Sequence, residues 1–356
     1  MYKENIETKG KNLPHANRSL KFYVALQGNK SPKEYIRLGK LIENLGFDRI
    51  YVYDDLMFKP CWPILTLIAE HTTRIELGPC LVNGFYSHPA MIAENIAFLD
   101  EISNRRAVLG LGRGAFFDFL NMDNSEYTTR KGCEETILLV KRFLTQKDDH
   151  FKGEYFEAND KAVLRWLLLR SDIPITIGSW NEKMAFLAGQ YSHEMQVANV
   201  WNMDYLKLLY TKLLDGINST KRTSPPQFSI GGMTCISLDE PRAFTKAKWT
   251  IAIYLPYIKT IIRKSGIDIY SHEFRQIDSY SKHGYYGLAS SYISDKIVKT
   301  LSLTGHPQNV VGKLDRIVKH FNISGILFSP PYGTLDSIDE NLQLIKDHVI
   351  LTLKKE

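Results

Sequence analysis

The sequence predicts an α/β protein folded as a single (β/α)8 TIM barrel, with insertions before the fifth strand and between the seventh and eighth. Three observations lead there. Short β-branched and apolar runs alternate with segments of helical periodicity. Those runs number eight, the count that closes such a barrel. No Ser/Gly linker, low-complexity tract or composition shift divides the 356 residues into halves. An open doubly wound sheet is the alternative that the same alternation allows.

The elements follow in order. Lys21–Gly28 is the first strand, and Ser31–Gly46 a helix with Ser31 as N-cap, Pro32 at the first helical position and Gly46 as its stop. Phe47–Tyr53 is the second strand and Trp62–His71 the next helix. Arg74–Val82 is the third strand, Pro89–Ser103 a helix, and Arg106–Leu111 the fourth strand. A long amphipathic helix covers Thr129–Leu144. Pro174–Gly178 is the fifth strand, Asn181–Gln190 a helix, Glu194–Val200 the sixth strand and Met203–Leu214 its helix. A seventh strand lies within Gln227–Leu238, before a helical region spanning Glu240–Lys264. Gly325–Ser329 is the last strand and Ser337–Ile350 the last helix. Residues 121–170 and 268–320 break the rhythm and read as insertions acting as lids, as oligomer contacts or as surface decoration. Residues 1–20 read as a peripheral extension of one 1–356 domain.

Composition narrows the function. The chain is 44% hydrophobic and 24% charged, and its 45 Lys+Arg exceed 39 Asp+Glu by a net +6. That mild excess lacks the clustered basic stripe of a nucleic-acid binder. Cys61, Cys80, Cys133 and Cys235 are too dispersed for a Cys-x-x-Cys site or a disulfide framework. The first twenty residues carry no apolar signal region, and the greasiest stretch, near 250–262, contains Lys259 and is too short for a membrane span. We expect a cytoplasmic enzyme for a small-molecule substrate, without nucleic-acid or membrane partners.

In a barrel of this kind the active site lies at the carboxyl ends of the strands. These ends offer Gln27, Gly28, Tyr53, Asp54, Asp55, Gly78–Asn83, Gly110–Gly114, Gly178–Asn181, Asn199–Asn202 and Ser329–Gly333. The set has no metal-ligand spacing and no Gly-x-Ser-x-Gly elbow. Asp54 and Asp55 alternate across their strand, so a regular strand keeps them from sharing a pocket. A planar, phosphate-bearing cofactor suits the list better. Gly110-Leu-Gly112-Arg-Gly114-Ala115 matches a relaxed dinucleotide fingerprint, but three strand–helix units precede it. It reads as a glycine-lined bend for a ring system, or as a tight turn. Gly178-Ser179-Trp180-Asn181 precedes a helix whose N-terminus, with Lys183, suits a phosphate; an ordinary N-cap by Ser179 or Asn181 explains the same residues. Pro79 removes a ladder donor from the third strand and suggests a bulge.

Residues 77–114 carry a more specific pattern: the bulge, Asn83, His88-Pro89, Leu99-Asp100, Arg106-Ala107 and the Gly110–Gly114 turn. Further pieces are Pro174–Gly189, Ile236–Glu240, Thr304–Leu314 and Ser329-Pro-Pro-Tyr-Gly333. In that order they span most of residues 20–350, and they resemble the bacterial-luciferase-like superfamily. The branch they most resemble holds coenzyme F420-dependent methylenetetrahydromethanopterin reductase and its relatives.

The resemblance implies a luciferase-like barrel binding F420, or alternatively FMN, at its carboxyl end. It implies an F420-dependent oxidoreductase moving hydride to or from a small organic or pterin-like substrate. An FMN-dependent monooxygenase and a catalytically weak cofactor-binding homologue are the alternatives. A non-prolyl cis peptide is implied at Cys80–Leu81, behind the cofactor ring. Implied cofactor contacts are Cys80, Leu81, Asn83, Gly112, Arg113, Gly178, Ser179, Trp180 and Asn181; the implied catalytic residues are Asp54 and Asp55, and no metal is expected. Asp55 stands where many relatives carry His. Ala115 and Asp118 replace the Glu and Asn of F420-dependent sugar-phosphate dehydrogenases, which argues against glucose 6-phosphate. His88 reads as a helix cap before a catalyst. Tyr280, Tyr285 and Tyr286 read as core or interface packing before a substrate cover. The resemblance also implies a homodimer through the helices after strands two and three.

Overall fold

Alternation within the first strand sets the two layers of the molecule. In β1 (Lys21–Leu26), Phe22, Val24 and Leu26 pack outward against helices, whereas Tyr23 and Ala25 point into the barrel. The computed structural model describes residues 20–115, 117–123, 129–222, 224–330 and 338–354, without the side chain of Asp118.

The chain continues through α1 (Pro32–Asn44), β2 (Arg49–Tyr53), α2 (Cys61–Glu70), β3 (Glu76–Cys80), α3 (Pro89–Ile102) and β4 (Leu109–Leu111). Next come α4 (Arg130–Leu144), the short strands β5 (Phe151–Lys152) and β6 (Glu157–Ala158), β7 (Ile175–Gly178), α5 (Glu182–Tyr191), β8 (Glu194–Ala198) and α6 (Met203–Asn218). The last third holds β9 (Gln227–Ile236), α7 (Glu240–Tyr254), α8 (Lys259–Lys264), α9 (His272–Lys282), α10 (Tyr286–Tyr292), α11 (Asp295–Leu301) and β10 (Leu303–Gly305). It closes with α12 (Pro307–His320), β11 (Gly325–Ser329) and α13 (Ile338–Leu344). Past Leu344 the chain goes on as a π turn and a final helical turn to Leu353.

Eight parallel strands hydrogen-bond in the order β3-β2-β1-β11-β9-β8-β7-β4. Isolated parallel bridges, Leu77 to Ala107 and Val82 to Leu111, join β3 to β4 and close the ring. This is the predicted barrel, not an open sheet. Ser31 caps α1 through a 3.2 Å bond from the Glu34 N–H, and Pro32 opens the helix, as the sequence predicts.

Three elements depart from expectation. The predicted helical region 240–264 is broken, because Pro256 lacks the N–H that continuing α7 would require; Leu255–Tyr257 forms a 3-10 turn instead. The fourth strand shortens to Leu109–Leu111. Within the expected insertion 268–320, β10 pairs with the far end of β9, from Leu303–Thr234 to Gly305–Ile236. Three residues are too few to show a strand period.

The excursion before β7 is fastened to α4. The buried Glu135 carboxylate accepts the N–H groups of Glu154 (2.7 Å), Tyr155 (2.8 Å) and Phe156 (3.2 Å). Arg142 donates to the carbonyls of Asp149, Asn159 and Ala162. The expected extension 1–20 lies outside the described residues except for Leu20.

Candidate active site

At β1 the chain leaves the barrel through Gln27, which is 3% exposed. Its Oε1 accepts the Gly28 N–H at 2.7 Å, which fixes the orientation of the amide. Its Nε2 therefore faces outward, donating to Asp55 Oδ2 at 2.7 Å and lying 3.3 Å from the Tyr254 hydroxyl at the end of α7. β2 ends in Tyr53, whose hydroxyl meets Ser329 Oγ at 2.6 Å across the mouth.

The acidic pair diverges as the alternation requires. Asp54 turns toward Cys61, the first residue of α2, whose N-cap Pro60 offers no side-chain bond. Its charge thus lies by the N-terminus of α2, where the helix dipole favours an anion. Asp55 turns to the mouth. Burial pushes both carboxyls above the usual aspartate range; hydrogen bonds pull back, from Cys61 on Asp54 and from Gln27 on Asp55, and the Asp54 charge adds to the rise at Asp55.

At the end of β3 the Cys80–Leu81 peptide is cis, as the resemblance implies. The Leu81 side chain lies over Gly110, Gly112 and Gly178, on the neighbouring strands β4 and β7 or just beyond them. A Cβ at Gly110 would fall 2.1 Å from the Pro79 carbonyl oxygen, and one at Gly178 1.9 Å from Leu81 Cδ1. Glycine at 110 is what lets the third strand lie close to the fourth, and glycine at 178 leaves room for the Leu81 side chain. Beside Leu81, Cys80 Sγ is 3.7 Å from Gln196 Oε1. Gln196 Nε2, buried within the barrel, has no hydrogen-bond partner among the described residues.

The other expected contacts separate into two groups. Arg113 and Asn181 meet in a cavity of about 380 Å³ that Thr129, Arg130, Glu182, Lys183 and Met184 also line. Two helix N-termini open onto it. Thr129 caps α4 by accepting the Gly132 N–H at 3.0 Å, and Asn181 caps α5 by accepting the Met184 N–H at 2.9 Å. Glu182 is engaged by Lys264 at 2.8 Å, so Arg113, Arg130 and Lys183 leave the cavity positive. Free N–H dipoles and three cations together suit an anion.

Asn83, Ser179 and Trp180 are occupied locally. Asn83 Oδ1 accepts the Phe85 and Tyr86 N–H groups at 3.1 and 3.0 Å, shaping the turn after β3. The Ser179 N–H extends the ladder to Gln196 O, and its hydroxyl donates to Asn181 O at 2.9 Å. The Trp180 indole N–H donates to Ala198 O at 2.8 Å, and its carbonyl accepts the Tyr205 hydroxyl.

His88 caps α3 through a 3.2 Å bond from the Ala90 N–H, and burial lowers its pKa, so it serves as a neutral cap. Tyr280 stacks on Tyr292 at 5.8 Å and Tyr286 meets Trp249 at 6.3 Å, whereas Tyr285 is exposed. The Asp118 side chain and residues 331–333 of the last motif lie outside the described residues. Sequence reasoning missed Arg130, Gln196 and Tyr254 altogether. Gln27 it placed at a strand end with no partner. No local pattern marks them, since each meets its neighbours only across separate elements of the fold.

The family model described as luciferase-like monooxygenase matches residues 15–321. The chain is 26% identical to 5,10-methylenetetrahydromethanopterin reductase of Methanopyrus kandleri over 94% of this chain and 99% of that protein. It is 24% identical to an F420-dependent glucose-6-phosphate dehydrogenase of Amycolatopsis mediterranei over 47% of this chain and 54% of that one. Among solved structures, the coenzyme F420-dependent tetrahydromethanopterin reductase of Methanopyrus kandleri superposes with a TM-score of 0.82 at 24% identity, covering 94% and 99% of the two chains. A type II Baeyer–Villiger monooxygenase from Pseudomonas putida, in complex with FMN, gives 0.66 at 16% identity, covering 93% and 98%.

Proposed function

This chain belongs to the luciferase-like monooxygenase family, and on that premise we propose that it is an F420-dependent oxidoreductase passing hydride between the deazaflavin and a small organic or pterin-like substrate. The observation that carries the reading is similarity to a methylenetetrahydromethanopterin reductase along 99% of that protein's length.

The residues present fit such a cofactor. A buried Gln196 amide without a partner is costly, and a polar ring edge inside the barrel relieves it. Cys80, Leu81, Gly112 and Gly178 form the wall beside it. Arg113, Arg130 and Lys183, with the N-termini at Thr129 and Asn181, hold the phosphate and carboxylates of the tail. Asn83, Ser179 and Trp180 support that wall through their backbone bonds. When bound, the deazaflavin supplies two-electron hydride chemistry, and the protein supplies orientation and exclusion of water. Asp55 handles the proton at the mouth, and Asp54 fixes α2 behind it.

We place the protein in the cytoplasm as a homodimer. All four cysteines are free and buried, which suits a reducing compartment. Among the described residues no helix is long and apolar enough to cross a membrane. The outer face of α3 shows Met91 (50% exposed) and Phe98 (53%) beside Leu167 (89%), around a groove of about 710 Å³. An apolar face of this kind is what a second copy covers.

Titrating the purified protein with F420 and with FMN, followed by fluorescence, tests the cofactor. Tight binding of F420 supports the reading. Binding of FMN alone, with O2 consumed when reduced FMN is supplied, overturns it in favour of a monooxygenase. Binding of F420 with no single-turnover bleaching by any acceptor marks an inert homologue.

A further inference from the structure

Three elements far apart in sequence meet over the mouth of the barrel. Gln27 follows β1, Asp55 follows β2, and Tyr254 ends α7. Their contacts run in one direction. The Gly28 N–H holds Gln27 Oε1 at 2.7 Å, and turning the amide over would set its NH2 against that N–H, donor against donor. The NH2 is therefore committed to Asp55 Oδ2 at 2.7 Å and lies 3.3 Å from the Tyr254 oxygen. The Tyr35 hydroxyl clamps the Gln27 carbonyl at 2.7 Å from behind. Beyond Tyr254 the chain crosses the mouth, and the Tyr257 ring meets Phe119, after β4, at 6.2 Å. The end of α7 thus straps Gln27 on one side of the barrel to the β4 loop on the other.

We propose that Gln27 and Tyr254 are positioning residues that hold Asp55 as the proton donor of the site. The proposal rests on the hydride-transfer reading above. Gln27 grips Oδ2, leaving Oδ1 to face the substrate, and Tyr254 keeps the Gln27 amide in place. When hydride adds to an unsaturated substrate carbon, the electron pair of the broken π bond moves to the attached heteroatom. That atom takes the proton from Asp55; the carboxyl O–H breaks, the heteroatom–H bond forms, and the carboxylate regains a proton from water. Both electrons arrive with the hydride from the reduced deazaflavin.

The surroundings shift Asp55 toward its acid form. The ionisable groups facing it are Asp54 from its own loop, Tyr53 from β2, Cys80 from β3 and Tyr254 from α7, with Gln27 as the neutral donor. Among the described residues no cation is one of them. Burial and the Asp54 charge disfavour the carboxylate, and the Gln27 amide favours it.

Aspartate labelled with 13C at its carboxyl carbon, followed by NMR as pH is varied, tests this on the cofactor-free protein. Two carboxyls should titrate above the ordinary aspartate range, and the one that vanishes in Asp55→Asn is that of Asp55. In Gln27→Ala the Asp55 midpoint should rise by about one pH unit. In Tyr254→Phe, which keeps the ring and the fold, it should rise by a few tenths of a unit. Midpoints unchanged in Tyr254→Phe, and in Gln27→Ala if that variant folds, overturn the arrangement. F420 titration of the same samples separates the two ideas. Absent binding by the native chain removes the functional reading, whereas binding with an unmoved Asp55 midpoint removes only the roles of Gln27 and Tyr254.

Discussion

Arg49 Nη1 lies 2.6 Å from Glu194 Oε2 inside the amino end of the barrel, with both side chains 4% exposed. The same guanidinium reaches Glu76 at 2.7 Å and the Tyr51 hydroxyl at 2.7 Å, and it sits 4.4 Å from the centre of the Tyr23 ring. β2, β3 and β8 are thereby tied on the face opposite the proposed site.

Arg49→Met should strand two carboxylates, one of them fully buried, and cost about 3–5 kcal/mol in urea unfolding. Cofactor affinity should hold, because the pair is at the far end. A loss below about 1 kcal/mol would show that the pair behaves like a surface bridge.

Gly110→Ala and Gly178→Ala should part company. At Gly110 the new methyl meets backbone, the Pro79 carbonyl, and cannot be accommodated without opening β3 from β4. Unfolding should then come about 1–3 kcal/mol sooner. At Gly178 it meets only the tip of the Leu81 side chain, which swings away. There the thermal midpoint should barely change while F420 affinity falls. Equal effects on both measurements in both variants would refute the distinction.

Asp54→Asn and Asp55→Asn should separate a structural carboxyl from an acid. Asp55→Asn should abolish single-turnover reduction, whereas Asp54→Asn keeps the shape of the side chain beside Cys61 and should turn over. Stability carries a sign. The Asp54 pKa is raised above its ordinary value of 3.8, so its favourable contribution is complete below that value and is lost as pH rises through the folded-state value. Thermal midpoints of native protein and Asp54→Asn compared upward from pH 4 should diverge, the variant losing less. Parallel curves would refute this.

Arg130→Ala, Arg113→Ala and Lys183→Ala should each weaken F420 binding about 10-fold, the scale of one hydrogen bond to a charged group. The loss should shrink as salt is added. Affinity that ignores all three changes would place the anionic tail elsewhere.

Phe98→Glu should yield a monomer by sedimentation if the α3 face is covered by a second copy. A native chain already monomeric at micromolar concentration would dispose of the dimer.

Much of this architecture is written locally. Ser31-Pro32 starts α1, Ser329 ends β11 where predicted, and Asn181 caps α5, because caps and strand periods need only a few adjacent residues. The Asp54–Asp55 divergence also follows from strand alternation alone. The break at Pro256 was legible too, since proline carries its own rule, yet the apolar periodicity on either side of it suggests one helix.

What the sequence determined by itself, then, is the succession of strands and helices, hence the barrel, and the glycine-rich ends of its strands. Only the tertiary structure decided which side chains meet. Gln27 with Asp55 and Tyr254, and Arg49 with Glu194, are pairings across strands or loops, the last between residues 145 positions apart. The physical reason is that hydrogen bonds and ion pairs act over a few ångströms of space. Closing the barrel sets those distances, and no local pattern along the chain encodes them.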